Sequence, residues 1–237
     1  MVRLIEALNY RCLRYIQQPL KDVQVLIGPN ASGKTAFLDV VSFLGDLVEH
    51  GLTEAITSRA ASIEDLFFRG EGDRFELAVE LEIPEERREM LDNSAVQGYR
   101  YVRYEIAIGL DAASNEYQIL DEQVLLQAQL NSNEDHRQRT LFPDPQTPPK
   151  SIVHTGRAGS GHKPVLRKIR GGNDNFYPEV SKQKGKGGWM PSIRLGPRKS
   201  ALANMPDDEQ KFPVTTWLRN VLVDGAQRMM LNSLALR

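Results

Sequence analysis

The chain has 237 residues, 41% of them hydrophobic and 26% charged, with a formal net charge of −1, which suits one large domain or a domain with an insertion around a buried core. No apolar run approaches the roughly 18 residues needed to span a bilayer, and the first ten residues carry Arg3 and Glu6 where a signal peptide would be apolar. Cys12 is the single cysteine, which excludes an internal disulfide and a cysteine-rich zinc site and leaves a cytoplasmic protein as the expectation.

In chain order, residues 2–8 alternate partly and predict an opening strand. Residues 23–27, Val-Gln-Val-Leu-Ile, form a short β-branched run that predicts a buried strand ending at Gly28. Residues 34–49 predict a helix. Phe37, Val40, Val41, Leu44, Leu47 and Val48 recur there at three- and four-residue spacing, and Gly51 is its stop. Residues 75–83, 99–110 and 116–126 alternate as half-buried antiparallel strands do. The charged stretch 84–93 reads as a short helix. From 131 to 206 the periodicity fades, with four prolines between 143 and 149 and eight glycines between 156 and 188. That stretch predicts a loop-rich insertion. Regularity returns at Val214, where Trp217, Val221, Leu222 and Met229 predict an amphipathic helix.

The motif that carries chemistry spans residues 28–35. Gly28-Pro29-Asn30-Ala31-Ser32-Gly33-Lys34-Thr35 matches G-x-x-x-x-G-K-[ST] in full. Such a loop wraps a phosphate with backbone N–H groups, and Gly28 and Gly33 permit dihedrals and close approaches that a Cβ obstructs. The following helix adds unpaired N–H groups and the positive end of its dipole. Lys34 is the clamp on the β- and γ-phosphates, and Thr35 offers a hydroxyl to Mg²⁺. An apolar strand before the loop and an amphipathic helix after it supply the context that separates this motif from a chance glycine turn. The run Gly156 to Gly161 has His162 in place of the lysine and reads as a flexible loop.

The surroundings of the motif carry a resemblance. A first strand leads to the pair Tyr10-Arg11; Pro19-Leu20 and residues 23–27 follow, then Gly28-Pro-Asn-Ala-Ser-Gly-Lys-Thr35. This resembles the N-terminal lobe of SMC/RecF-like ATPases, the ABC-type heads of DNA repair, chromosome maintenance and anti-phage systems. It covers residues 1–50 closely, 51–126 loosely and the remainder weakly. The resemblance implies an α/β P-loop NTPase fold with a mixed sheet, antiparallel strands and a loop-rich insertion. It further implies ATP and Mg²⁺ as cofactors and Arg11 beside the nucleotide. A second head, or a missing C-terminal lobe, would complete the site. The division is then an ATP-binding lobe at 1–130, a basic insertion at 131–206 and a helical return to the core at 207–237.

The family also needs a Walker B strand ending in Asp-Glu, a signature motif and a late histidine. No signature motif is found. Residues 106–111 are apolar up to Asp111, but Ala112 follows where a second acid belongs. Asp121 and Glu122 are adjacent acids on a strand whose alternation suits a solvated edge better than a buried centre. With no acid assigned to position water, slow hydrolysis by this chain alone is the expectation.

Charge is unevenly spread. Residues 150–200 hold 12 Lys/Arg against Asp174 and Glu179, a balance of +10, and the remainder is −11. Lys163, Arg167, Lys168, Arg170, Lys182, Lys184, Lys186, Arg194, Arg198 and Lys199 crowd there with Phe176, Tyr177 and Trp189. Such a segment is a candidate DNA contact surface or, equally, a solvated insertion that balances an acidic body. The four histidines match no metal-ligand spacing and read as surface positions. Two alternatives stand beside the ATPase head: a small-molecule P-loop kinase, against which 27 residues precede the loop, and a non-catalytic nucleic-acid-binding module. D-x-x-G and N-K-x-D are absent, which disfavours a GTPase.

Overall fold

The computed structural model describes residues 1–91, 98–111, 114, 116–131, 147–154, 162–180 and 192–225. Seven strands form one sheet: β1 (Val2–Tyr10), β2 (Leu13–Pro19), β3 (Arg74–Glu82), β4 (Tyr101–Leu110), β5 (Tyr117–Gln127), β6 (His162–Ile169) and β7 (Asp174–Phe176). Their order is β2-β1-β3-β4-β5-β6-β7, and every ladder is antiparallel. Four helices complete the described fold: α1 (Lys34–His50), α2 (Leu52–Thr57), α3 (Glu85–Glu89) and α4 (Pro213–Asp224).

The apolar core lies on one face of the sheet. Phe37, Val40, Phe43, Leu44 and Leu47 of α1 pack there with Leu77, Val79, Tyr104, Ile106 and Val124, and α4 adds Val214, Leu218 and Leu222. Tyr10, Phe43 and Phe75 meet in pairs with ring centroids 5.1–5.9 Å apart, within the range where offset and edge-to-face contacts add to area burial. α1 ends as expected at Gly51, whose φ of 88° suits a residue without Cβ.

The other face departs from the expected solvated side of an alternating sheet. Its polar residues are buried. Arg103, fully enclosed, donates to Glu6 at 2.8 Å, Glu80 at 2.8 Å and Glu105 at 2.5 Å. Residues 150–154 cross this face as a strap. Ile152 N and Ser151 Oγ donate to Glu76, Ile152 O accepts from Arg103, and His154 N and Nδ1 meet Glu105. Charges taken out of water need partners of this kind. The strap also alters the reading of the histidines: His154 and His162 stand edge to face, 5.6 Å between centroids. His136 lies outside the described residues.

Two further expectations are revised. Residues 23–27 form no strand. Val23, Val25 and Ile27 are 81%, 69% and 91% exposed, and only Leu26 packs against the core. A parallel central strand needs neighbours, and the described residues supply none beside it, so the sheet is antiparallel rather than mixed. Conversely, β6 and β7 arise within the stretch read as loop-rich. Pro164 and cations on both faces hide the alternation of β6, and the register shift of the β5–β6 ladder falls at Pro164, where a strand tolerates proline.

Candidate nucleotide-binding site

Residues 28–33 form a largely exposed turn that runs directly into α1, whose first two residues are Lys34 and Thr35. Gly33 is the N-cap at φ 89°, a left-handed conformation suited to glycine. Ala31 shares that region at φ 62°, an uncommon state for a residue with a Cβ. A Cβ on Gly28 would lie 2.9 Å from Ser32 Oγ. Gly33 is therefore required by its backbone conformation, whereas a Cβ on Gly28 would displace the Ser32 hydroxyl. No side chain caps α1, so its first N–H groups remain directed at the loop. Lys34 Nζ donates to Gly28 O at 2.7 Å, Pro29 O at 2.6 Å and Ser32 Oγ at 3.1 Å, which folds the ammonium over the loop. Asn30 and Thr35 are exposed.

The turn between β1 and β2 abuts this loop. A Cβ on Gly33 would meet Leu13 Cδ2 at 3.2 Å and Cys12 Sγ at 3.5 Å. Arg11 precedes them at φ 53°, and its N–H donates to Leu66 O at 2.8 Å. Arg11 NH1 donates to Asp39 Oδ2 at 2.8 Å. Asp39, on the second turn of α1, also accepts from the Tyr10 hydroxyl at 2.7 Å and Arg59 Nε at 2.9 Å. Burial, then the charge of Asp39, push the Tyr10 hydroxyl well above its ordinary range, so it stays a donor. Sequence reasoning had Arg11 but missed Asp39. Its signal was an acid on the otherwise apolar face of α1.

The acids proposed for Walker B do not join the loop. Between β1 and β5 lie β3 and β4, which at about 4.8 Å per strand puts β5 about 14 Å from β1. Glu122 is fully buried and accepts from Tyr104 Oη, Ser200 Oγ, Ala201 N and Leu202 N at 2.7–3.1 Å. Burial raises its pKa and those four donors oppose the rise. It caps a turn of the core. Burial also pushes the Asp121 carboxyl up, to about 6, and its Oδ1 has no hydrogen-bond partner among the described residues. Asp111 is paired with Arg170.

The basic segment is partly neutralised, by one of its own acids and by two beside the neighbouring strands. Lys163 donates to Glu179 O, Lys168 pairs with Asp174, Arg170 with Asp111, and Arg198 with Glu116. Phe176 is a core residue, Tyr177 is exposed, and Arg194 and Lys199 are exposed with no ion pair among the described residues. Lys182, Lys184, Lys186 and Trp189 lie outside the described residues.

A glycine loop that opens onto the N-terminus of a helix packed on a β-sheet is the arrangement that a P-loop NTPase domain uses to bind phosphate. The chain belongs to the family described as "AAA domain, putative AbiEii toxin, Type IV TA system", whose sequence model matches residues 23–149, more than half of the chain. Among curated proteins none matches. One solved structure that resembles the chain is described as "Structural biochemistry of ATP-driven dimerization and DNA stimulated activation of SMC ATPases". It is 18% identical, over 50% of this chain and 67% of that one, with a TM-score of 0.36. The fold assignment rests on the family match and on the chain's own topology. No helix among the described residues is long and apolar enough to cross a membrane.

Proposed function

We propose that this domain binds ATP with Mg²⁺ at residues 28–35 and hydrolyses it only once a C-terminal lobe or a second head supplies the water-positioning acid. The observation that carries the reading is the uncapped start of α1, with Gly33 left-handed at the junction and Lys34 beside it, in a chain of the AAA family. In this reading the N–H groups of Gly28, Asn30, Ala31, Ser32 and Gly33 cradle the phosphates. Lys34 exchanges loop carbonyls for the β- and γ-phosphates, and Thr35 offers its hydroxyl to Mg²⁺. Glu122 is committed to four donors, which supports the reading that a C-terminal lobe or a second head brings the acid. Residues 1–130 act as the nucleotide lobe, 131–206 as the basic insertion and 207–237 as the helical return. ATP then serves as a switch in a DNA-repair or anti-phage assembly, with residues 150–200 available to DNA.

Calorimetry with ATP and Mg²⁺ on the wild type and Lys34→Ala, with phosphate release followed in the same samples, tests this. The expected outcome is binding in the wild type, its loss by at least tenfold in the variant, and turnover near background in both. Equal binding by both proteins would reject the P-loop reading. Brisk turnover by the chain alone would reject the need for a partner's acid.

A further inference from the structure

Asp39 is the hub of a small network that joins three parts of the molecule. Its Oδ2 accepts from Tyr10 and Arg11, at the end of β1 and in the β1–β2 turn. Its Oδ1 accepts from Arg59, which follows α2 and also pairs with Asp46 at 2.7 Å. The carboxylate is 8% exposed, so it has little water to turn to, and its three donors are charged or buried partners. Arg11 differs from the other two donors. Its side chain is 36% exposed, only NH1 of its guanidinium is engaged among the described residues, and its backbone occupies a left-handed conformation pinned by Leu66 O. A positively charged fork, half unused, is thereby fixed on the turn whose next two residues touch Gly33 of the loop. A guanidinium in this state suits a polyphosphate, which accepts two parallel N–H bonds.

We propose that Asp39 is a positioning residue for nucleotide binding: it aims Arg11 at the phosphates and seats the β1–β2 turn against Gly33. The inference rests on the P-loop reading of residues 28–35. Asp39 touches no nucleotide itself. Asp39 keeps its bond to Arg11 NH1 while the unengaged nitrogens of the guanidinium turn to a phosphate, and Tyr10 and Arg59 hold the carboxylate in place.

A double-mutant cycle on ATP·Mg²⁺ affinity tests the coupling. Arg11→Ala is expected to weaken binding about tenfold (about 1.4 kcal/mol) and Asp39→Asn several-fold. The double variant should bind no more weakly than Arg11→Ala. If the two losses multiply, Asp39 does not act through Arg11 and the proposal falls. Lys34→Ala in the same series separates the two claims, since retained affinity there rejects the P-loop reading instead. A second readout needs no nucleotide. Cys12, the lone thiol, lies at the contact with Gly33, so Asp39→Asn should change its alkylation rate several-fold while the melting of the fold, followed by circular dichroism, remains a single cooperative transition. An unchanged alkylation rate overturns the seating role even if no nucleotide binds.

Discussion

Asp121 and Glu122 are neighbours in sequence and opposites in environment. Glu122 faces the apolar core and is satisfied by four donors, whereas Asp121 faces the polar side of the sheet with Oδ1 unpaired among the described residues. Burial is the first cause of the rise of Asp121 from 3.8 to about 6, and Arg167 only partly offsets it. Because the folded carboxyl binds its proton more tightly than the unfolded one, its contribution to stability is fully present below pH about 3.8. It is lost as the pH rises to about 6. Asp121→Asn removes that titration. The variant is expected to match the wild type near pH 3.5 and to exceed it by about 2–3 kcal/mol at pH 7.5, the worth of roughly two pKa units. Urea melts at the two pH values check this, and an advantage that is the same at both would contradict it. Neither Asp39 nor Arg103 was legible as a hub in the sequence. Arg103 gathers Glu6 and Glu80 from other strands, and sequence spacing carries no information about such partners. Lys34 and its loop were legible because their eight residues act locally.

Among the elements, α1 was read to within a residue because its apolar spacing and its glycine stop are both local signals. Its contact with α4 was not. Gly45 looks like an ordinary helix interior glycine in sequence, yet a Cβ there would stand 2.5 Å from the backbone carbonyl of Leu222. No rotamer relieves a clash with backbone, so the two helices must part. Gly45→Ala gains about 1 kcal/mol of helix propensity, while overpacking costs about 1–3 kcal/mol. The carbonyl contact places this site toward the costly end. A net loss of about 1–2 kcal/mol is expected in urea unfolding, and a rise in midpoint would show that α4 yields freely. β3, β4 and β5 were legible from their alternation, but the reason for it was misjudged. Their polar residues face Arg103 and the strap at 150–154 rather than water. Alternation reports two unlike faces and does not say what covers the polar one.

At the scale of the whole molecule, charge and apolar surface are distributed differently from the expectation. The +10 of residues 150–200 is partly offset by Asp111 and Glu116, which lie outside the segment and pair with Arg170 and Arg198, so a long-range field is weaker than the count implies. The larger anomaly is the exposed face of Val23, Val25 and Ile27, beside a backbone with no strand partner among the described residues. Leu38 of α1 is also 59% exposed. Alternating β-branched side chains next to free N–H and C=O groups invite strand addition by another chain. The protein is therefore expected to self-associate with rising concentration. Val25→Lys should suppress that association, because one charge on such an edge is a usual block to pairing. The same substitution should leave stability within about 0.5 kcal/mol, since the side chain it replaces is 69% exposed and supports no core contact. Light scattering across a concentration series, with a urea melt of each protein, reads both quantities. Association that persists unchanged in the lysine variant would locate the sticky surface elsewhere. A large loss of stability would mean that residues 23–27 already pair within the fold in solution.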